Sequence, residues 1–158
     1  MSNGYILPIT LTIAGAAALL NLWLASRTGR MRVAHHISIG DGGNEQLTAK
    51  MRAHLNFVEY TPFFLILLGL IELARGSQMW LWAVAIVYIL ARIVHAFGMD
   101  RPAPNPMRMG GIIVTMATLL GLALYAIAIP YLDRGRPPAI HYASAVQPAA
   151  PSPGAASR

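Results

Sequence analysis

Four stretches of this chain are each long and apolar enough to cross a lipid bilayer, and that restricts its folds more than anything else in the sequence. They run from Tyr5 to Ala25, about Phe57 to Leu73, Met79 to Phe97, and Gly111 to Leu132. A hydrocarbon core about 30 Å thick takes roughly 20 helical residues to span. The expected architecture is therefore an all-α, integral-membrane four-helix bundle. One domain covers residues 1–135, with helices at about 5–25, 47–73, 79–98 and 110–132. Residues 136–158 are rich in Pro, Ala and Ser, cannot bury a core, and are expected to be a disordered tail. The first span lacks basic residues in its leader Met1 to Tyr5 and is longer than a signal-peptide core, so it reads as a retained helix.

Composition agrees, since 56% of residues are hydrophobic and only 11% charged, against the roughly one quarter charged in soluble domains. Twelve Lys and Arg stand against six Asp and Glu. They cluster beside the spans, which fits membrane topology and not nucleic acid. Arg27, Arg30, Arg32 and Lys50 are expected in the loop after the first helix, and Arg101 and Arg108 after the third. The positive-inside rule then places these two loops in the cytoplasm, with Arg75, Arg134 and Arg136 weighing on the other side. With no Cys in the chain, any sulfur chemistry has to come from a bound thiol.

The polar residues inside the spans are the informative ones. Arg52, Asn56, Glu59 and Tyr60 share one face of a helix at 3.6 residues per turn, and ionisable groups at membrane depth are costly enough to mark a site or a paired contact. Tyr88, Arg92 and His95 form a second such stripe on the third helix, and Arg108 opens the fourth after the stiff Pro102 to Pro106 connection. The expectation is that the two stripes and Arg108 meet at one interfacial level and suit a small ligand with several charges. Arg pairs with carboxylates, Glu accepts from an ammonium, and Asn does both. An Arg near a ligand thiol would favour the thiolate.

Structural readings stand beside these. Arg52 and Glu59 could form an interhelical ion pair, Asn56 and Asn21 could bond neighbouring helices, and His95 could be a satisfied core histidine. His54 points away from the Arg52 stripe. His35 and His36 lack a third ligand at helical spacing, so no metal site is expected. Gly40 to Glu45 reads as a turn into the second helix. Tyr5, Trp80 and Trp82 read as interfacial anchors, and Gly110 and Gly111 as a place where helices can approach closely.

The run Arg52-Ala53-His54-x-Asn56-x-x-Glu59-Tyr60 followed by Pro62, with Arg92-x-x-His95 and Pro106-x-Arg108 downstream, resembles the MAPEG family, the membrane-associated proteins in eicosanoid and glutathione metabolism. The resemblance spans nearly everything from the first helix to the fourth. It implies a homotrimer that binds glutathione between neighbouring subunits. Arg52, Asn56, Glu59, Tyr60, Arg92 and His95 would be contacts, and Arg108 would be the catalytic group that stabilises the thiolate. The implied activity is a glutathione-dependent transferase or peroxidase acting on lipophilic electrophiles or lipid hydroperoxides from the membrane, with its site facing the cytoplasm. Thr48 and Ala49 stand where family members often carry an acidic residue and an arginine, and Met99 and Met109 depart from the pattern of its eicosanoid synthases. Together with the compact loops and the Gly40 to Gly43 turn they look more like the bacterial branch. The alternatives are a glutathione-binding or scaffold protein without catalysis, or a small transporter using Arg52, Glu59 and His95 as its path.

Overall fold

The computed structural model describes residues 6–132. Four antiparallel helices fill it: α1 (Pro8–Ala34), α2 (Glu45–Arg75), α3 (Met79–Gly98) and α4 (Pro106–Leu132). All four are long and apolar enough to cross a membrane. The predicted tail at 136–158 and the Tyr5 anchor lie outside the described residues.

Helices α2 and α3 touch every other helix, whereas α1 and α4 do not touch each other. The bundle is thus a flattened diamond with α1 and α4 at its far corners. Its larger core joins Ile9 and Ile13 of α1, Phe64, Leu68 and Ile71 of α2, Leu81, Ala85 and Tyr88 of α3, and Leu122 of α4. There the Phe64 and Tyr88 rings stack with centroids 3.7 Å apart. A smaller cluster of Ala17, Leu20, Leu24, Phe57 and Ala96 closes the basic end. Apolar residues cover the outside as well, as expected where lipid is the solvent and helices associate through close packing and polar contacts.

Two boundaries differ from the sequence reading. α1 continues nine residues past its apolar window, so Arg27, Arg30 and Arg32 are helical and not in a loop, and Lys50 lies on α2. Hydropathy marks where lipid ends, but a helix runs on until something breaks it. Here the break comes at His35 and His36, the latter with φ at 55°. α4 begins at Pro106 and not near 110, because Asn105 caps it: its Oδ1 accepts from the backbone N–H of Met107 at 2.9 Å and of Arg108 at 3.4 Å. Pro106 follows as the first helical residue, where a missing N–H costs nothing.

The expected turn before α2 is present, with Gly40, Gly42 and Gly43 all at positive φ. Asn44 caps α2 by accepting from Leu47 N–H at 3.0 Å. Asp41 accepts from the Gly43 N–H and the Thr48 hydroxyl, and these bonds, the Gly43 one foremost, hold its carboxyl below the usual carboxylate range.

The opposite end of the bundle is fastened by Glu72, whose side chain is buried at 1% exposure. Its Oε1 accepts from Ile9 N–H at 3.0 Å and from Ser77 Oγ at 2.7 Å. Its Oε2 accepts from Thr10 N–H at 2.8 Å and Thr10 Oγ1 at 2.7 Å. The carboxylate of α2 is thus the N-terminal cap of α1, which lacks a capping side chain of its own.

Candidate functional site

The polar residues put forward by the sequence separate into an outer and an inner set. On α2, burial follows Ala53, Phe57, Thr61, Phe64 and Leu68, one apolar or small residue per turn. That leaves Arg52 and Glu59 exposed on the outer surface of the protomer, with Asn56 and Tyr60 half-buried at the margin. The Asn56 amide donates to the Arg52 carbonyl at 3.2 Å, within its own helix, so it does not bridge to a neighbour. No ion pair joins Arg52 to Glu59. The salt bridges among the described residues run from Asp100 to Arg27 and to Lys50, which removes the structural-pair reading of the stripe.

Arg52 opens into a cavity of about 760 Å³ between α1, α2 and the turn that joins them. Arg32 and Thr28 of α1, Asp41 and Thr48 line it, together with His54, Leu55 and Val58. Arg32 joins this cavity only because α1 continues past its apolar window, and with Arg52 it gives the cavity two guanidinium groups. His54 bonds Asn21 of α1 through Nε2 at 2.8 Å, the interhelical contact expected for Asn21.

The inner set lies on α3. Arg92 is buried at 1% exposure and His95 at 3%. Arg92 Nη1 donates to Thr115 Oγ1 across a long 3.4 Å, its guanidinium carbon sits 5.9 Å from the centre of the Phe57 ring, and its Nε has no partner among the described residues. Tyr88, one turn earlier, pairs its hydroxyl with that of Thr61 at 3.1 Å. His95 donates from Nδ1 to the Arg108 carbonyl at 3.1 Å, which fixes the proton on that nitrogen and leaves Nε2 buried and unpartnered. The core-histidine reading therefore holds for one ring nitrogen only.

Arg108 stands between the two sets. Its backbone is locked by His95, by the Asn105 cap and by Gly98, where an added Cβ would lie 2.4 Å from the Arg108 nitrogen. Its side chain is exposed. Gly111 makes a similar close approach, its hypothetical Cβ 2.6 Å from that of His95, while Gly110 faces open space. Within one protomer the inner residues, Arg108 and the α2 stripe occupy the same end of the bundle, but the structure does not bring them into a single cavity.

The clamp at this end has no signal in the sequence. Asp100, just past α3, takes Arg27 Nη2 of α1 and Lys50 Nζ of α2 at 3.0 Å, while the Arg27 guanidinium lies 4.6 Å from the centre of the Trp23 ring. Three helices are joined at one carboxylate. Among the described residues no group of His, Cys, Asp or Glu is arranged to hold a metal ion.

Comparison with known proteins agrees with the four-helix membrane fold. The chain is 29% identical over 109 residues to the inner membrane protein YecN of Escherichia coli K12, covering 68% of this chain and 82% of that one. The YecN of Escherichia coli O6:H1 matches to the same extent. The model of the MAPEG family matches residues 10–128, which takes in all four helices. This multi-pass integral membrane protein belongs to the MAPEG family.

Proposed function

We propose that the protein is a glutathione-dependent transferase or peroxidase acting on lipophilic electrophiles or lipid hydroperoxides, assembled as a homotrimer with its sites between subunits at the basic, cytoplasmic end. The observation that carries this reading is the exposed pair Arg52 and Glu59. They are charges near the membrane interface that nothing among the described residues of their own protomer neutralises. A ligand with two carboxylates and one ammonium suits them, with Arg32 and Arg52 as donors to carboxylates and Glu59 as acceptor for the ammonium. Asn56 and Tyr60 add polar contacts, while Arg92 and the His95 Nε2, both buried in the protomer, reach the ligand only where the helices part to admit it.

Glutathione would supply the nucleophilic sulfur that a chain without Cys lacks. Arg108 is the group placed to lower the thiol's pKa. Its exposed guanidinium is carried on a rigid backbone in the first turn of α4, where the helix dipole adds to its positive charge. A lipophilic partner reaches the same level through the bilayer, so binding also supplies proximity. The non-catalytic reading is favoured by Met109, an apolar neighbour of Arg108 that can neither donate nor accept a proton.

Glutathione added to the purified full chain in detergent should produce the ultraviolet absorbance of a thiolate, and Arg108→Ala should abolish that signal while retaining most of the binding seen by calorimetry. Binding without thiolate in the unmodified chain would establish the non-catalytic reading, and absence of binding would remove both.

A further inference from the structure

Beside the Asp100 clamp lies a second cavity, about 340 Å³ in volume, lined by Arg27, Arg30, Met31, Ala34 and Lys50. Three cations face it, and the one carboxylate beside it among the described residues, Asp100, is shared between Arg27 and Lys50. Arg27 is far from satisfied by that contact. Its side chain is only 9% exposed, yet Nη1 is buried with no hydrogen-bond partner. Arg30 is exposed, and among the described residues its guanidinium has no partner either. A buried guanidinium nitrogen without an acceptor is costly, and a cavity with excess positive charge beside it is suited to an anion.

Depth identifies the kind of anion. α1 begins at Pro8, and Arg27 follows 19 residues later, about 28 Å along the helix at 1.5 Å per residue. A helix that enters a hydrocarbon core about 30 Å thick at its first residue brings Arg27 and Arg30 to the level of the lipid phosphates on the far side. Three turns toward the membrane centre, on the face of Arg30, Leu19 is 70% exposed and offers an acyl chain an apolar wall. Met31 and Ala34 give the cavity an apolar side of its own. A zwitterionic headgroup would bring a further cation into a cavity that already holds three.

We propose that this cavity binds the phosphate of an anionic phospholipid, with Arg30 as its selecting donor. The site is separate from the Arg32 and Arg52 cavity and does not depend on the glutathione reading. The lipid would complete the Asp100 clamp by giving Arg27 the second acceptor it lacks.

Native mass spectrometry of the full chain, mixed in mild detergent with phosphatidylglycerol or phosphatidylcholine, tests the idea. Phosphatidylglycerol should be retained preferentially. Arg30→Gln should weaken its retention about fivefold, the effect of one interfacial cation, and Arg30→Lys should largely keep it. Arg101→Gln removes an equal charge from a residue that does not line the cavity, and should change nothing. Equal retention of both lipids, or equal losses in Arg30→Gln and Arg101→Gln, would overturn the proposal. Displacement of the lipid by inorganic phosphate or by glutathione would also overturn it, because the cavity would then belong to a soluble anion.

Discussion

Glu72 shows how much one side chain can decide in this bundle. Its four accepted hydrogen bonds join the end of α2 to the start of α1 and to Ser77. Each N–H it caps is a donor with no intrahelical acceptor. Glu72→Ala should therefore cost about 3 kcal/mol, from lost charged hydrogen bonds and stranded buried donors, visible as a lower thermal midpoint in detergent. This residue was not legible in the sequence. The period of 3.6 shows which face of α2 Glu72 occupies, but nothing local shows that the face meets a helix start more than sixty residues earlier in the chain. Asp100 escaped notice for the same reason. By contrast, Arg52, Glu59, Arg92 and His95 stood out at once, because a charge in an apolar window is conspicuous without any knowledge of its neighbours.

At the scale of the element, the contact between α3 and α4 depends on two glycines. A methyl at Gly111 would meet His95 and the Ala91 carbonyl, and one at Gly98 would meet the backbone of Arg108. Gly111→Ala and Gly98→Ala should each destabilise by about 1–3 kcal/mol through forced separation of the helices. Gly110→Ala, which meets nothing within 4 Å, should be neutral or stabilising by up to about 1 kcal/mol. Thermal unfolding of the three variants side by side checks this. The sequence showed a Gly pair but could not say which of the two was the contact, since that depends on the rotation of α4 about its axis. It also showed four spans correctly while misplacing two helix ends. Apolar length reports the thickness of the bilayer, whereas the ends are set by Asn105 and by the turn after Ala34.

The whole molecule raises the question of how two separated sets of residues could serve one reaction. Order and number of spans were readable from hydropathy, but an assembly cannot be read from one chain, because the surfaces that meet are those the protomer leaves open. If Arg52 of one subunit works with Arg108 of the next, neither Arg52→Ala nor Arg108→Ala should be active alone. Co-expressing the two should restore roughly one site in four, since about that fraction of interfaces would join two intact halves in a closed ring. A turnover assay on the mixed assembly checks it, and no recovery would place the site within a single subunit. The position of Arg92 also bears on the transporter alternative. A guanidinium lodged between Phe57 and Thr115, with no carboxylate against it among the described residues, would act as an electrostatic plug in such a path. A sodium ion or proton threading the bundle would have to pass a fixed like charge in a medium that screens it poorly. The same residue that makes the core expensive would thereby oppose the passage of cations through the bundle.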